Sequence, residues 1–116
     1  MVITYKESND VQAEDVANVF ASSGIIRPHE DLARIKRMIE HADLLITAWD
    51  DQRMVGVARA LTDFSYCCYL SDLAVDQAYQ KSGIGKNLVK RIRERIGEEC
   101  SLVLISAPRA LDYYPK

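Results

Sequence analysis

The chain has 116 residues, of which 48% are hydrophobic and 28% are charged, and its formal net charge is −2. This composition is typical of one globular domain, so residues 1–116 are expected to form a single domain that buries roughly 65% of its unfolded surface. The slightly acidic balance argues against nucleic acid as the main partner, because binding to a phosphate backbone needs a basic surface. No apolar run approaches the roughly 18 residues of a membrane span, so no membrane partner is expected.

The N-terminus and the cysteines bear on location and cofactors. The first residues lack the charged-then-apolar layout of a signal peptide, which predicts a cytoplasmic protein. The three cysteines, Cys67, Cys68 and Cys100, are odd in number and contain no C-x-x-C spacing. Neither a disulfide framework nor a metal site is therefore expected, and the thiols are interpreted as packing residues in a reducing compartment.

Apolar spacing predicts the elements of the first half of the chain. Met1–Lys6 is predicted to form a strand, and Gln12–Ser23 a helix that Gly24 ends. A second amphipathic helix is predicted to start after Pro28. Its apolar positions are Leu32, Ile35, Met38, Ile39 and Ala42.

An antiparallel hairpin is predicted next, from Leu44–Trp49 and Met54–Leu61 joined by a polar turn. Alternation in the second strand predicts that Val55, Val57 and Leu61 share one face.

The second half of the chain predicts a crossover unit. Tyr66–Val75 is a predicted strand, Gly83–Ile96 a helix that Gly97 ends, and Leu102–Ile105 a further strand. A short helix is predicted after Pro108. The order β-α-α-β-β-β-α-β-α indicates a mixed α/β domain, an antiparallel meander followed by a crossover with parallel strands.

The segment Gln80-Lys81-Ser82-Gly83-Ile84-Gly85 follows that strand and leads into that helix. A helix N-terminus presents unpaired N–H groups and the positive end of a dipole, and glycine lets a ligand approach the backbone closely. The segment therefore predicts a phosphate-binding site. A dinucleotide fingerprint would need glycine at Leu88, and a Walker A loop would need glycine at Gln80 and a hydroxyl at Asn87, so neither class fits.

The stretch from Leu70 to Leu88 resembles the signature of the GNAT superfamily of acyl-CoA-dependent N-acyltransferases, an apolar strand end followed by Gln-x-x-Gly-x-Gly. The element order is similar to that family's, as is Ala110-Leu111-Asp112-Tyr113-Tyr114 to its Ala-x-x-x-Tyr helix. The resemblance covers most of the chain. It implies a GNAT-like fold and transfer of an acetyl group from acetyl-CoA, the implied co-substrate, to a primary amine on a small molecule or peptide.

The resemblance also implies roles for individual residues. Backbone groups at the end of the Tyr66–Val75 strand would pair with the pantetheine arm, and the Leu73 N–H is a candidate to polarise the thioester carbonyl. Backbone N–H groups of the loop would hold the pyrophosphate. The implied cofactor-binding residues are Leu73, Ala74, Val75, Gln80, Lys81, Ser82, Gly83, Ile84, Gly85 and Lys86.

Two residues are expected to be catalytic. Tyr114 matches the family's general acid, and the reference pKa of a phenol, about 10, suits proton donation to a departing thiolate. Which of Tyr113 and Tyr114 faces the cleft stays open. Asp72 is predicted to be the general base that deprotonates the amine, with Glu30 and Asp31 as alternatives on the segment that would cover the acceptor pocket.

The sequence departs from the family pattern at its end. The tyrosine helix of the family runs on to further strands, whereas this sequence stops at Lys116. Either the chain stops before the native end, or a second protomer of a homodimer completes the sheet. A CoA-binding sensor or interaction module without turnover, or a purely structural domain, is therefore an alternative to the enzyme.

Overall fold

A computed structural model describes residues 2–104 of the chain. The predicted short helix after Pro108 and residue Ile105 lie outside the described residues. The elements are β1 (Ile3–Glu7), α1 (Ala13–Ser23), α2 (Leu32–Glu40), β2 (Leu44–Asp50), β3 (Arg53–Thr62), β4 (Cys67–Val75), a 3₁₀ turn (Gln77–Ser82), α3 (Ile84–Ile96) and β5 (Ser101–Leu104).

The five strands form one sheet in the order β1-β2-β3-β4-β5. The first four pair antiparallel, and β5 pairs parallel with β4 after the crossover through α3. The predicted mixed α/β class is therefore confirmed.

Helices cover both faces of the sheet. The apolar stripe of α3 is buried against one face, while α1 and α2 bury theirs against the other. Each fully buried aliphatic or aromatic side chain stabilises the fold by about 1.5–3 kcal/mol relative to an exposed one. The fully buried helix residues are Val16, Val19, Phe20, Ile35, Ile84, Leu88 and Ile92.

A bulge in β3 corrects the predicted faces of that strand. Ala48 pairs with Gly56 and Trp49 with Met54, which leaves Val55 without a partner in β2. Val55 therefore packs in the α3-side core, and Val57 in the core under α1 and α2. The prediction that these two valines share a face was wrong, because strict alternation ends at a bulge.

All three helices start later than predicted, and α1 begins at Ala13 instead of Gln12. Helix α2 begins at Leu32, because the Asp31 carboxylate accepts a 3.1 Å hydrogen bond from the Arg34 N–H and caps the helix. Helix α3 begins at Ile84, after Gly83 with φ of 82°. Within residues 2–104, no helix has the length and apolar character needed to cross a membrane.

Candidate functional site

The outer edge of β4 opens halfway along the strand. Cys67 to Leu70 pair with β5, and the register against β3 then shifts so that Arg59 lies opposite Asp72 and Ala60 opposite Leu70. Ser71 is the extra residue of this bulge. Beyond it, β4 has no neighbour on the β5 side among the described residues. A bulge bends its strand, so within residues 2–104 this edge keeps backbone groups that an extended ligand could pair with.

The start of α3 follows the 3₁₀ turn in the chain and lies next to the end of β4, since a Cβ on Gly85 would be 3.6 Å from Val75 Cγ2. Asn87 makes the first helical hydrogen bond, to the Gly83 carbonyl at 3.1 Å, and no side chain of the described residues caps the helix. The N–H groups of Ile84, Gly85 and Lys86 find no acceptor within residues 2–104. Three unpaired donors at the positive end of a 13-residue helix form a favourable environment for a phosphate group.

Gln80 fixes the turn that leads to α3. Its side-chain amide donates to the carbonyls of Val75, at 3.0 Å, and Ser23, at 3.3 Å. The first bond ties the turn to the end of β4, and the second ties it to the end of α1. The Val75 carbonyl therefore already has a partner. Among the described residues, a ligand along the open edge would pair with backbone groups that precede this carbonyl on β4.

A second set of contacts anchors the same turn to the β2–β3 hairpin. The Tyr79 hydroxyl donates to Asp50 at 2.7 Å, which raises the pKa of the Tyr79 phenol because the bond holds its proton on the oxygen. Arg53 donates to Asp76 at 2.8 Å, and the other oxygen of Asp76 accepts the Ala78 N–H at 2.9 Å. The beginning and the middle of the turn are therefore attached to the sheet.

The surroundings of the α3 start are basic. The first turn of α3 has no acidic residue, and the lysines nearest to it are exposed. This charge favours an anion at the helix start. The exposed basic residues here are Lys81 and Lys86, and Lys90 follows in the second turn of α3.

The sequence-predicted binding residues lie together at this place. Leu73 and Val75 pack against the α3-side core, and Ala74 faces α1 and α2. Gln80, Lys81 and Ser82 form the end of the 3₁₀ turn, and Gly83 is the residue that precedes α3. The side chain of Ile84 is buried, and Gly85 and Lys86 follow it in the first turn of α3. That these residues bind a cofactor stays a prediction.

Asp72 lies on β4 in a buried ion-pair cluster. One carboxylate oxygen accepts from the Arg27 Nε and the other from the Arg59 Nε, and the side chain is fully buried. A base must accept a proton, and doing so here would sacrifice the attraction of two guanidinium groups. The base role of Asp72 stays a prediction that this arrangement does not favour.

Of the other predicted catalytic residues, two lie outside the described residues and two lie within them. Tyr113 and Tyr114 lie outside the described residues, so the general-acid role of Tyr114 stays a prediction. Asp31 caps α2 and Glu30 is exposed beside it, in the connection between α1 and α2. No group of three or more His, Cys, Asp or Glu residues that could hold a metal ion occurs within residues 2–104.

Sequence reasoning missed the partners that hold the site together. Arg59 lies opposite Asp72 in the β3–β4 register, a pairing that a strand prediction with the correct bulge would have found. Arg27 reaches Asp72 across 45 residues and Tyr79 reaches Asp50 across 29. No local pattern in the sequence signals such distant pairs.

The protein belongs to the GNAT acetyltransferase family, since residues 8–116 match the family model for the acetyltransferase (GNAT) domain. It is 30% identical over 115 residues to the Arabidopsis thaliana protein described as "GCN5-related N-acetyltransferase 1, chloroplastic"; the match covers 94% of this chain and 56% of that relative. The chain therefore spans just over half the length of this curated relative.

Solved structures share the fold. A probable acetyltransferase of meticillin-resistant Staphylococcus aureus superposes with a TM-score of 0.80 at 20% identity, covering 97% of this chain and 86% of that one. An aminoglycoside N-acetyltransferase crystallised in complex with CoA superposes with a TM-score of 0.71 at 17% identity, covering 97% and 82%. At these identities the likeness concerns the fold.

Proposed function

We propose that the protein transfers an acetyl group from acetyl-CoA to an amine by direct attack. The observation that carries the proposal is the set of three unpaired N–H groups at the start of α3, placed beside the open edge of β4. A diphosphate at the helix start would leave the pantetheine arm free to run along β4 as an added strand. The fold shared with a CoA-bound acetyltransferase supports this arrangement.

The chemistry required of the chain is mainly positioning. The proposed contact of the Leu73 N–H with the thioester carbonyl would stabilise the oxyanion that forms when the amine attacks. The amine gives up a proton to solvent water, the C–N bond forms and the C–S bond breaks, and Tyr114 is proposed to give its proton to the departing thiolate and to regain one from solvent. Holding the amine next to the carbonyl supplies much of the acceleration, so no covalent enzyme intermediate is needed.

The acceptor is proposed to be a primary amine on a small molecule or a peptide. A panel for testing it contains an aminoglycoside, a polyamine and a lysine peptide, because solved neighbours include aminoglycoside acetyltransferases and all three carry the required group. A cytoplasmic location stays a prediction, and the Arabidopsis relative is described as chloroplastic. Homodimer formation and the absence of nucleic-acid binding also stay predictions.

The test has two stages. Acetyl-CoA is first titrated against the protein by calorimetry, and CoA release is then followed with the amine panel. Turnover that falls at least tenfold in Tyr114→Phe but not in Tyr113→Phe supports the proposed acid; equal rates for wild type and Tyr114→Phe remove it from the mechanism. Acetyl-CoA binding without turnover on any amine would instead support a CoA-binding module, and no binding would exclude both.

A further inference from the structure

Four residues form one polar network at the β4 bulge, which we call the bulge cluster: Arg27, Arg59, Ser71 and Asp72. The two arginines share the buried Asp72 carboxylate, one on each oxygen. The same arginines also hold Ser71, because Arg27 donates to its carbonyl at 2.8 Å and Arg59 to its hydroxyl at 3.0 Å. The extra residue of the bulge is therefore bound through both its backbone and its side chain.

The cluster joins three segments that are distant in sequence. Arg59 belongs to β3 and lies directly opposite Asp72 on β4. Arg27 belongs to the connection between α1 and α2, residues 24–31, and also donates to the carbonyl of its neighbour Ile26 at 2.6 Å. The Arg27 guanidinium thus binds both a carbonyl of the α1–α2 connection and two residues of the bulge.

If the proposed function holds, Arg27 attaches the α1–α2 connection to β4 next to the acyl site. Ser71 and Asp72 immediately precede Leu73, whose N–H is the proposed contact for the thioester carbonyl. The α1–α2 connection is therefore held beside the reacting carbon, where an acceptor amine has to lie. Ile26 in this connection is apolar and 67% exposed.

We propose that Arg27 and Asp72 are positioning residues for the acceptor amine: Asp72 acts through Arg27 to hold residues 24–31 against the acyl site. Asp72 does not take the proton from the amine in this account. The proposal rests on the proposed acetyl transfer. It explains why a carboxylate next to the proposed acyl site is fully buried between two guanidinium groups.

The test compares Arg27→Met and Asp72→Asn with the wild type, with Arg95→Met as a matched control. Arg95 forms an exposed ion pair with Glu7 at 2.6 Å, between α3 and β1, and its replacement removes an arginine without touching the cluster. The proposal expects the KM for the amine to rise at least fivefold in both cluster variants, with the Kd for CoA within twofold of wild type. In both cluster variants, the pH profile of kcat/KM keeps its acidic limb, which is the fall in rate at low pH that protonation of a general base produces. In the control, both constants stay unchanged.

Arg27→Lys adds a graded readout. Lysine keeps the charge beside Asp72 but has one compact ammonium group in place of the planar fork that reaches Asp72, Ser71 and Ile26 together. The KM for the amine is therefore expected to lie between the values of wild type and Arg27→Met. If Arg27 had a purely structural role, the variants would have a lower melting temperature, and amine KM and CoA Kd would be affected alike.

Two results would overturn the proposal. Loss of the acidic limb in Asp72→Asn with a normal KM in Arg27→Met would make Asp72 the base. Unchanged hydrogen exchange of the amides of residues 24–31 in Arg27→Met would show that the attachment does not hold this connection. The exchange measurement needs no activity, so an inactive wild type would contradict the proposed function while the positioning claim is still decided. Arg27 is 24% exposed in its side chain, so Arg27→Met serves if Asp72→Asn does not fold.

Discussion

The Tyr79 hydroxyl and the Asp50 carboxylate are joined by a 2.7 Å hydrogen bond that connects the 3₁₀ turn before α3 to the end of β2. Arg53, at the start of β3, donates to the carboxylate of Asp76, the residue before this turn, at 2.8 Å. The turn that precedes the proposed phosphate site is therefore fixed to the β2–β3 hairpin at two points. Its geometry depends on residues that would never touch the ligand.

Replacing Tyr79 by phenylalanine should weaken CoA binding. The variant loses one hydrogen bond to a carboxylate, and the turn becomes less ordered before it binds CoA. We expect the Kd for CoA, measured by calorimetry, to rise several-fold. Tyr66→Phe is the matched control, because Tyr66 is 77% exposed. Equal affinities in the two variants would contradict the anchoring role.

Replacing Gly56 by alanine should displace the start of α3. A Cβ on Gly56 would lie 3.1 Å from Ile84 Cγ2 and 3.2 Å from Leu88 Cδ1, tighter than ordinary packing. Overpacking of this kind costs about 1–3 kcal/mol. We expect that loss in the free energy of unfolding, measured by urea denaturation, together with weaker CoA binding.

Gly85→Ala provides the comparison for Gly56. Among residues 2–104, a Cβ there would meet only Val75 Cγ2, at an ordinary 3.6 Å. We expect the free energy of unfolding to change by no more than about 0.5 kcal/mol. A larger loss in Gly85→Ala than in Gly56→Ala would contradict the described packing of α3 on β3.

Much of the fold could be predicted from the sequence, because helices and strands have distinct apolar periods. Leu88 and Ile92 recur at the spacing of one helix face, and the crossover from β4 to β5 required a parallel pair. The predicted C-terminal end of α1 at Gly24 is also confirmed, with φ of 83°. These features depend on neighbouring residues and on chain connectivity.

The contacts that shape the site could not be predicted in the same way. The bulges at Val55 and Ser71 each break a period of two, and only the partner strand defines where the break falls. The Arg27 contact with Asp72 depends on how the α1–α2 connection crosses the sheet. The place of Gly83 and Gly85 at the start of α3 could be predicted, because it depends on the local sequence and not on such distant contacts.

The three thiols should differ strongly in reactivity. Cys67 is exposed, whereas Cys68 and Cys100 are buried, and burial raises the pKa of the Cys68 thiol above its ordinary value. Because the thiolate is the reactive form, Cys68 should react slowly even at pH 8. We expect one fast thiol in the folded protein and three after unfolding, counted with a chromogenic disulfide reagent. A Cys67→Ser variant that retains the fast phase would contradict this assignment.

The β3–β4 turn should contribute a pH-dependent part of the stability. One oxygen of Asp63 accepts the N–H groups of Tyr66, Ser65 and Cys67 at 2.8 to 3.1 Å, and these bonds lower the pKa of the carboxyl. A carboxyl with a lowered pKa in the folded state binds fewer protons there. It therefore stabilises the fold above its unfolded pKa, near 3.8, and this stabilisation is lost as the pH falls through the folded value.

Asp63→Asn isolates the charge, because asparagine keeps an acceptor oxygen for the same N–H groups. We expect the variant to melt below the wild type at pH 7, and the difference to shrink steadily below about pH 3.8, the reference value for the carboxyl. Glu98→Gln, at an exposed site after α3, is the control for the lost charge. A melting difference that stays constant from pH 7 to pH 2 would contradict the assigned cause.

The most direct test of the central claim is a titration of ¹⁵N-labelled protein with CoA, followed by the chemical shifts of the backbone amides. The account predicts the largest shifts at Ile84, Gly85 and Lys86, with a second group at Leu73 and its neighbours on β4. Shifts confined to another surface, or none at saturating CoA, would contradict the claim that the start of α3 and the open edge of β4 form the cofactor site.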